Sequence, residues 1–265
     1  MDKFVIFCKS YSGDVHRVKN LKESIDKFNS DNIKFYVSVP NDDIQLFKDV
    51  IGSGGYELIS DESIVGENLK ENWSKQQVIK SEFWKTELCE NYLMIDSDSY
   101  FIKEFSLKDF MYNNDTPYTV MHECKDLLQF ASRRGMDFVN ESFIGDRLFV
   151  QDIFGRNGRQ YDFGPSPCIW SSKVWRSLKE GYLDSNGLNF NNLIDVKPCE
   201  FHWYGEWLLK KRPIDIIPIE PIFKVFHYAE QYQESKNIGD TELSISNNFF
   251  GIVMQSNWGA PIKYE

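Results

Sequence analysis

The first 60 residues alternate two hydrophobic patterns, and this alternation narrows the fold more than any other feature of the chain. Phe4, Val5, Ile6, Phe7 and Cys8 form an unbroken apolar run, as expected of a strand covered on both faces. Val18, Leu21, Ile25 and Phe28 then recur at spacings of 3, 4 and 3, which lays one apolar stripe along a helix. Ile33, Phe35, Val37 and Val39 alternate as a second strand, closed by Pro40. Asn41 is placed to cap a helix carrying Ile44, Phe47 and Val50, with Asp42 and Asp43 in its first turn. A glycine-rich turn at 52–55 leads to a third strand over 56–59. Strand–helix–strand–helix–strand is the front half of a mononucleotide-binding α/β fold with a parallel sheet. No GxGxxG follows the first strand and no GxxxxGK[ST] occurs anywhere, so neither familiar phosphate-gripping loop is present.

The next strong strand signal is Leu93-Met94-Ile95, followed at once by Asp96-Ser97-Asp98. Ligands of open α/β sheets bind beyond the carboxyl ends of the strands, so this strand delivers two carboxylates to the binding edge. Two hard oxygen ligands suit Mg²⁺ or Mn²⁺ and leave coordination positions for a diphosphate. The competing reading is a polar turn built from ordinary turn residues. Before this strand a helix is predicted over 73–90, with Ile79 four residues from Phe83 and Trp84 four from Leu88. Gln76 and Lys80 share its polar face. That face is either a solvated stripe or a way for Lys80 to reach a phosphate.

The remainder reads as more of the same domain. A connector over 105–110, a strand over 118–121 and an unassigned stretch over 125–140 precede a helix over 140–158. A rigid loop spans 164–167, a short strand 168–170, and Ser171 or Ser172 caps a helix with Val174, Trp175 and Leu178 inside. Residues 181–200 are rich in Asn, Asp and Gly and read as an irregular binding loop. A helix is expected from about His202 to Pro213, then strands over 214–219 and 222–226, the latter ending at His227. The tail, with Phe249, Phe250, Ile252, Val253, Met254 and Trp258, is too apolar to lie unpacked. With no linker or repeat, one domain over 1–265 is expected, 1–125 as the nucleotide-binding half and 126–265 as the acceptor-side half and tail.

Charge excludes one class of partner. The 265 residues carry 30 basic and 40 acidic side chains, a net charge of −10, which argues against nucleic acid. The five cysteines are scattered with no CxxC pair, as in a reducing compartment. The apolar start is too short for a signal peptide, and no apolar run approaches the roughly 18 residues of a membrane span. A cytoplasmic protein is expected, with peripheral contact at the inner membrane face left open.

Transfer from a nucleoside diphosphate sugar needs a cation for the leaving diphosphate, basic groups near the phosphates and, for inversion, a base for the incoming hydroxyl. Asp96 and Asp98 offer the first. Lys9, Arg17, Lys80 and Arg147 are candidates for the second, and Glu200 and Glu206 for the third. His227, after a late strand, is the candidate third metal ligand, since neutral imidazole suits Mn²⁺ better than Mg²⁺. For each carboxylate and histidine the alternative is a structural role.

Five stretches together resemble nucleotide-sugar glycosyltransferases of the GT-A fold with a DxD motif, of the small bacterial and viral kind that act in polysaccharide assembly. They are Phe4-Val-Ile-Phe-Cys-Lys-Ser-Tyr11 with Asp14 and Arg17, Gln76-Gln-Val-Ile-Lys80, Met94-Ile-Asp-Ser-Asp98, Glu200-Phe-His-Trp-Tyr-Gly205, and Phe226-His-Tyr228. The resemblance spans most of residues 1–230. It implies a UDP- or GDP-linked sugar donor, a saccharide or lipid-linked saccharide acceptor and a divalent cation, commonly Mn²⁺. It further implies that Asp98 and His227 bind the metal, that Asp96 contacts the donor or reaches the metal through water, and that Lys9, Ser10 and Tyr11 hold the nucleoside with Lys80 nearby. The acidic block from Glu200 to Glu206 would supply the base of an inverting enzyme. Two alternatives stay open: a sugar-nucleotide-forming nucleotidyltransferase, for which Lys9-Ser-Tyr-Ser-Gly13 is a poor loop, and a carbohydrate-binding protein without catalysis.

Overall fold

The computed structural model describes residues 1–66 and 74–265. In chain order the elements are β1 (Asp2–Lys9), α1 (Val15–Phe28), β2 (Phe35–Val39), α2 (Ile44–Ile51), β3 (Glu57–Ser60), α3 (Asp61–Val65), α4 (Lys75–Glu82), β4 (Cys89–Met94), β5 (Ser99–Phe101), β6 (Thr119–Val120), α5 (Lys125–Arg133) and α6 (Asp137–Ile153). They continue with β7 (Cys168–Ser171), α7 (Ser172–Leu178), α8 (Phe190–Val196), α9 (Glu200–Lys211), β8 (Pro218–Ile219), β9 (Phe223–Phe226), α10 (Ala229–Asn237), α11 (Glu242–Ile245) and β10 (Gly251–Met254).

The central sheet has the order β3-β2-β1-β4-β7. The first four strands are parallel, and β7 runs antiparallel to β4. Its continuous apolar strands are explained by cover on both faces. Val5 and Phe7 of β1 join Tyr92, Met94 and Trp170 in one core beneath α4, α7, α8 and α9. Phe4, Ile6 and Cys8 join Leu93, Ile95 and Ile169 in the other, against α1 and α2. Each such fully buried side chain contributes about 1.5–3 kcal/mol relative to exposure. The fold is thus α/β, with a mixed central sheet flanked by helices.

A second sheet, β5-β10-β9, uses the tail that the sequence marks as too apolar to be loose. β10 lies antiparallel to β5 and parallel to β9. Gly251 is the close-approach point, because a Cβ there would lie 2.4 Å from the Tyr100 carbonyl oxygen and 2.2 Å from the Phe223 ring. β6 and β8 form a separate parallel pair.

Several expected elements have other bounds. The helix expected over 73–90 is α4, a 3₁₀ turn over Phe83–Thr86, and then β4. Glu87 adopts a left-handed conformation that stops the helix, and residue 73 lies outside the described residues. Residues 181–200 contain α8, whose Asn189 and Asn192 side chains cap it reciprocally, so the Asn-rich composition marks a helix start as well as loops. Residues 214–219 pair only at β8. The Asn41 side chain caps nothing: the backbone before α2 starts as a 3₁₀ turn over Asn41–Asp43. No described helix is long and apolar enough to cross a membrane.

Candidate active site at the carboxyl edge of the sheet

Lys80 lies in the last turn of α4, buried on the side facing the sheet. Its ammonium stands 2.6 Å from Asp96 Oδ1 and 3.2 Å from Glu200 Oε1. One cation therefore ties the end of β4 to the first turn of α9. Burial opposes the Lys80 charge, but Asp96 and Glu200 outweigh it and hold its pKa above the usual lysine range. The polar face of α4 is not a solvated stripe at Lys80. Asp96 keeps a partly exposed carboxylate, whereas Glu200 is almost wholly buried.

The small sheet accounts for two further residues. Asp98 immediately precedes β5, and His227 immediately follows β9. Between them, β10 pairs Val253 with Ser99 and Met254 with Phe226, and the Met254 N–H donates to the Asp98 carbonyl at 2.8 Å. The register thus sets Asp98 and His227 at the same end of the sheet, one strand apart. Burial first, then the neighbouring Asp96 charge, push the Asp98 pKa up to about 7 against the Ser256 N–H and Arg17. Burial lowers the His227 pKa to about 4, so its imidazole is neutral at physiological pH. Carboxylates and a neutral imidazole are donor types that suit a cation of the Mn²⁺ class. The three side chains do not form a closed cage. Among the described residues, the one group of three His, Cys, Asp or Glu donor atoms all within 4.8 Å of one another is His122, Cys124 and Asp162.

Asp162 is a second, fully buried centre. It accepts from Arg147 Nη2 at 2.8 Å, the Cys124 thiol at 3.0 Å and the Gly164 N–H at 2.9 Å. His202 Nε2 lies 3.6 Å away, and Cys199 Sγ lies 3.0 Å from His202 Nδ1. Burial works against the Asp162 charge, but His202, Arg147 and His122 more than offset it and hold its carboxyl well below the usual range. A metal here would compete with a guanidinium already on the carboxylate. His122 is also engaged at both nitrogens, Nε2 at 2.6 Å from the Gly164 carbonyl and Nδ1 accepting from the Cys124 N–H at 3.3 Å. The cluster therefore works as an ionic anchor for the loop at 162–167. From that loop Ser166 Oγ accepts the Asp96 N–H at 2.7 Å, and the Ser97 hydroxyl donates to Asp14 at 2.8 Å. α9 approaches the same loop through Gly205, where a Cβ would lie 2.0 Å from the Phe163 ring.

The remaining expected residues divide clearly. Lys9 is buried; its ammonium pairs with Asp61 at 2.9 Å and donates to the Ser10 carbonyl. It braces the strand ends and does not face an open phosphate site. Ser10 Oγ is buried with no hydrogen-bond partner among the described residues, while Tyr11 is exposed. Arg17 donates to the carbonyls of Met254 at 3.3 Å and Ala260 at 2.6 Å, so it fastens the tail. Arg147 is buried on Asp162 rather than at the sheet edge. Glu206 is gripped by Arg156 through both carboxylate oxygens, and this bidentate pair removes it as a free base. Glu200 reaches Asp96 only through Lys80, so it stands as a partner of the ammonium rather than an open base. Asp61, Asp162, His122, His202 and Ser166 carry no spacing signature. The loop cue Gly164-Pro-Ser-Pro167 pointed to the neighbourhood of Asp162, His122 and Ser166, and the Glu200–Gly205 stretch contained His202, but nothing pointed to Asp61.

A family model described as a family of unknown function, DUF6492, matches residues 5–204. The chain belongs to the DUF6492 family. The matched stretch contains Lys80, Asp96, Asp98, Asp162 and Glu200, and stops before Glu206 and His227. No curated protein matches this DUF6492 chain.

Proposed function

We propose that this DUF6492 protein is a metal-dependent glycosyltransferase of GT-A type, moving a sugar from a UDP- or GDP-linked donor to a saccharide or lipid-linked saccharide hydroxyl. The observation that carries the reading is that Asp96 follows β4 at the carboxyl edge of the main sheet, where α/β folds bind ligands, while Asp98, two residues on, and His227 share one end of the small sheet. Among the described residues no P-loop or dinucleotide loop competes for that edge.

In this reading Asp98 and His227 hold Mn²⁺ or Mg²⁺, which when bound neutralises charge on the leaving diphosphate. Asp96, with its partly exposed carboxylate, addresses the donor ribose or sugar. Lys80 fixes Asp96 in place, and Glu200 fixes Lys80; Glu200 is thus a positioning residue. Tyr11 offers its exposed ring to the nucleoside, with Ser10 buried beside it. In this reading the protein acts in the cytoplasm, on intracellular nucleotide sugars.

Calorimetric titration of UDP and GDP, with and without Mn²⁺, tests it on wild type and Asp98→Asn. Metal-dependent nucleotide binding that falls at least about tenfold in the variant supports the site. Absence of binding to either nucleotide under every metal condition removes the reading and leaves a carbohydrate-binding protein as its successor.

A further inference from the structure

β10 ends at Met254, and the chain passes at once into a 3₁₀ turn over Ser256–Trp258 with Gln255 at its start. This short segment touches both candidate metal ligands. The Ser256 N–H donates to Asp98 Oδ2 at 3.0 Å. The Gln255 side chain is hydrogen-bonded to the His227 ring. The Trp258 indole N–H donates to the carbonyl of Phe226, the residue before His227, at 2.9 Å.

We propose that residues 255–258 form the clamp that orients Asp98 and His227 toward one divalent cation, with Gln255 as a positioning residue that fixes the tautomer of the His227 ring. The inference rests on the metal half of the transferase reading and is independent of the donor sugar and the acceptor.

The strand register puts the segment there. β10 runs parallel to β9 with Met254 paired to Phe226, so the next step sets Gln255 level with His227. It runs antiparallel to β5 with Val253 paired to Ser99, so the same strand end reaches Asp98, whose carbonyl takes the Met254 N–H at 2.8 Å. The turn is also tied down on both sides. Arg17 donates to the Met254 carbonyl at 3.3 Å before it and to the Ala260 carbonyl at 2.6 Å after it. Further on, the Tyr264 N–H donates to the Tyr100 hydroxyl at 2.7 Å.

The contacts are of the kind that metal ligands need. A neutral imidazole carries one N–H, and the hydrogen bond that N–H makes decides which nitrogen keeps the lone pair. A ligating histidine gives its other ring N–H to an acceptor, which fixes ring plane and tautomer, and ligating carboxylates are themselves held by outer hydrogen bonds. Gln255 favours the protonated form of His227, as an amide oxygen accepting the ring N–H does. The His227 backbone is held separately, its N–H on Gln231 Oε1 at 2.8 Å, so the part left to Gln255 is the ring. The Ser256 N–H engages Asp98 at Oδ2 in the same turn.

The test uses chelator-treated protein as wild type, Gln255→Met, Gln255→Glu and Asp98→Asn. Electron paramagnetic resonance titration, without nucleotide, reads Mn²⁺ affinity. Ring-nitrogen NMR shifts near neutral pH read the His227 tautomer in the metal-free protein, assigned by the peaks lost in His227→Asn. Gln255 is only half-buried, so a Met of similar length keeps the fold, and urea melts check it. The expected result is one tautomer in wild type, a mixture in Gln255→Met, and Mn²⁺ binding weaker in that variant by roughly tenfold to a hundredfold. Gln255→Glu keeps an acceptor and restores the single tautomer. A merely structural role would lower stability and leave the tautomer as it is. Unchanged Mn²⁺ affinity or an unchanged tautomer in Gln255→Met, or no restoration by Gln255→Glu, overturns the clamp; if Asp98→Asn still loses Mn²⁺, the metal reading survives that failure. Wild type that binds no Mn²⁺, or Asp98→Asn that binds it as wild type does, removes the metal reading and the clamp with it.

Discussion

The backbone N–H of Ser256 donates to Asp98 Oδ2 at 3.0 Å, across 158 residues of sequence. The tail thus touches the second carboxylate of the Asp-x-Asp pair directly, and Arg17 holds that tail down through Met254 and Ala260. Even with this donor, burial and the Asp96 charge leave the Asp98 pKa at about 7.

Asp98 should therefore make the metal-free protein less stable as pH rises. Its native pKa lies above the unfolded value of about 3.9, so the native state holds the extra proton between the two. Stability from this group is full below about pH 4, falls through pH 7, and is flat beyond. Asp98→Asn removes that loss. Because Asp98 is partly exposed, the gain at pH 8 is on the order of 1–2 kcal/mol rather than the full nominal shift. Urea melts of chelator-treated protein at pH 4.5 and pH 8 measure it. A variant no more stable than wild type at pH 8 would show that Asp98 is already ionised without strain.

Lys80→Met should destabilise the protein by roughly 3–5 kcal/mol, since it leaves the Asp96 and Glu200 carboxylates facing a buried gap without a cation. Glu200→Gln in the same chain should recover part of the loss. The double-mutant cycle is expected to show coupling of at least about 1 kcal/mol. Additive effects would mean that Glu200 does not act through Lys80, and would return it to the list of free carboxylates.

Much of this arrangement was legible in the residue order. The continuous run Phe4–Cys8 and the alternation from Ile33 to Val39 mark strands because each is covered as the pattern requires. Lys80, Asp96 and Asp98 were marked by their position around one strand, and the 2.6 Å Lys80–Asp96 pair joins two of them. What stayed hidden is what long-range pairing decides. Nothing in the sequence says that Met254 lies beside Asp98, that Arg156 takes Glu206, or that Asp162 gathers Arg147, Cys124 and His202 from three separate helices and turns. Lys9 misled for a related reason: a lysine at a strand end reads as a phosphate contact until Asp61, 52 residues on in the sequence, is seen to claim it.

Gly205→Ala should cost roughly 1–3 kcal/mol through overpacking, because the new Cβ would lie 2.0 Å from the Phe163 ring and α9 must shift to admit it. Glu200 and His202 ride on the same helix, so the loss is expected to be accompanied by weaker Mn²⁺-dependent nucleotide binding. Thermal melts and the nucleotide titration measure the two effects separately. A stable variant with unchanged binding would show that α9 can move without disturbing the Asp96 loop.

Asp162→Asn should show a pH dependence of the opposite sign to Asp98→Asn. Burial opposes the Asp162 charge, but His202, Arg147 and His122 hold its pKa well below the usual range, so its contribution is present above the unfolded pKa of about 4 and is lost as pH falls below it. Asn keeps the shape and leaves the Arg147 guanidinium, 2.8 Å away in wild type, buried against a neutral group. The expected loss above pH 5 is on the order of 3 kcal/mol, shrinking as the pH is taken below about 4. Urea melts at pH 7, 5 and 3.5 measure it. A deficit that does not change with pH would mean that Asp162 acts by shape and hydrogen bonding alone, and that its charge is not what anchors the loop carrying Ser166 to Asp96.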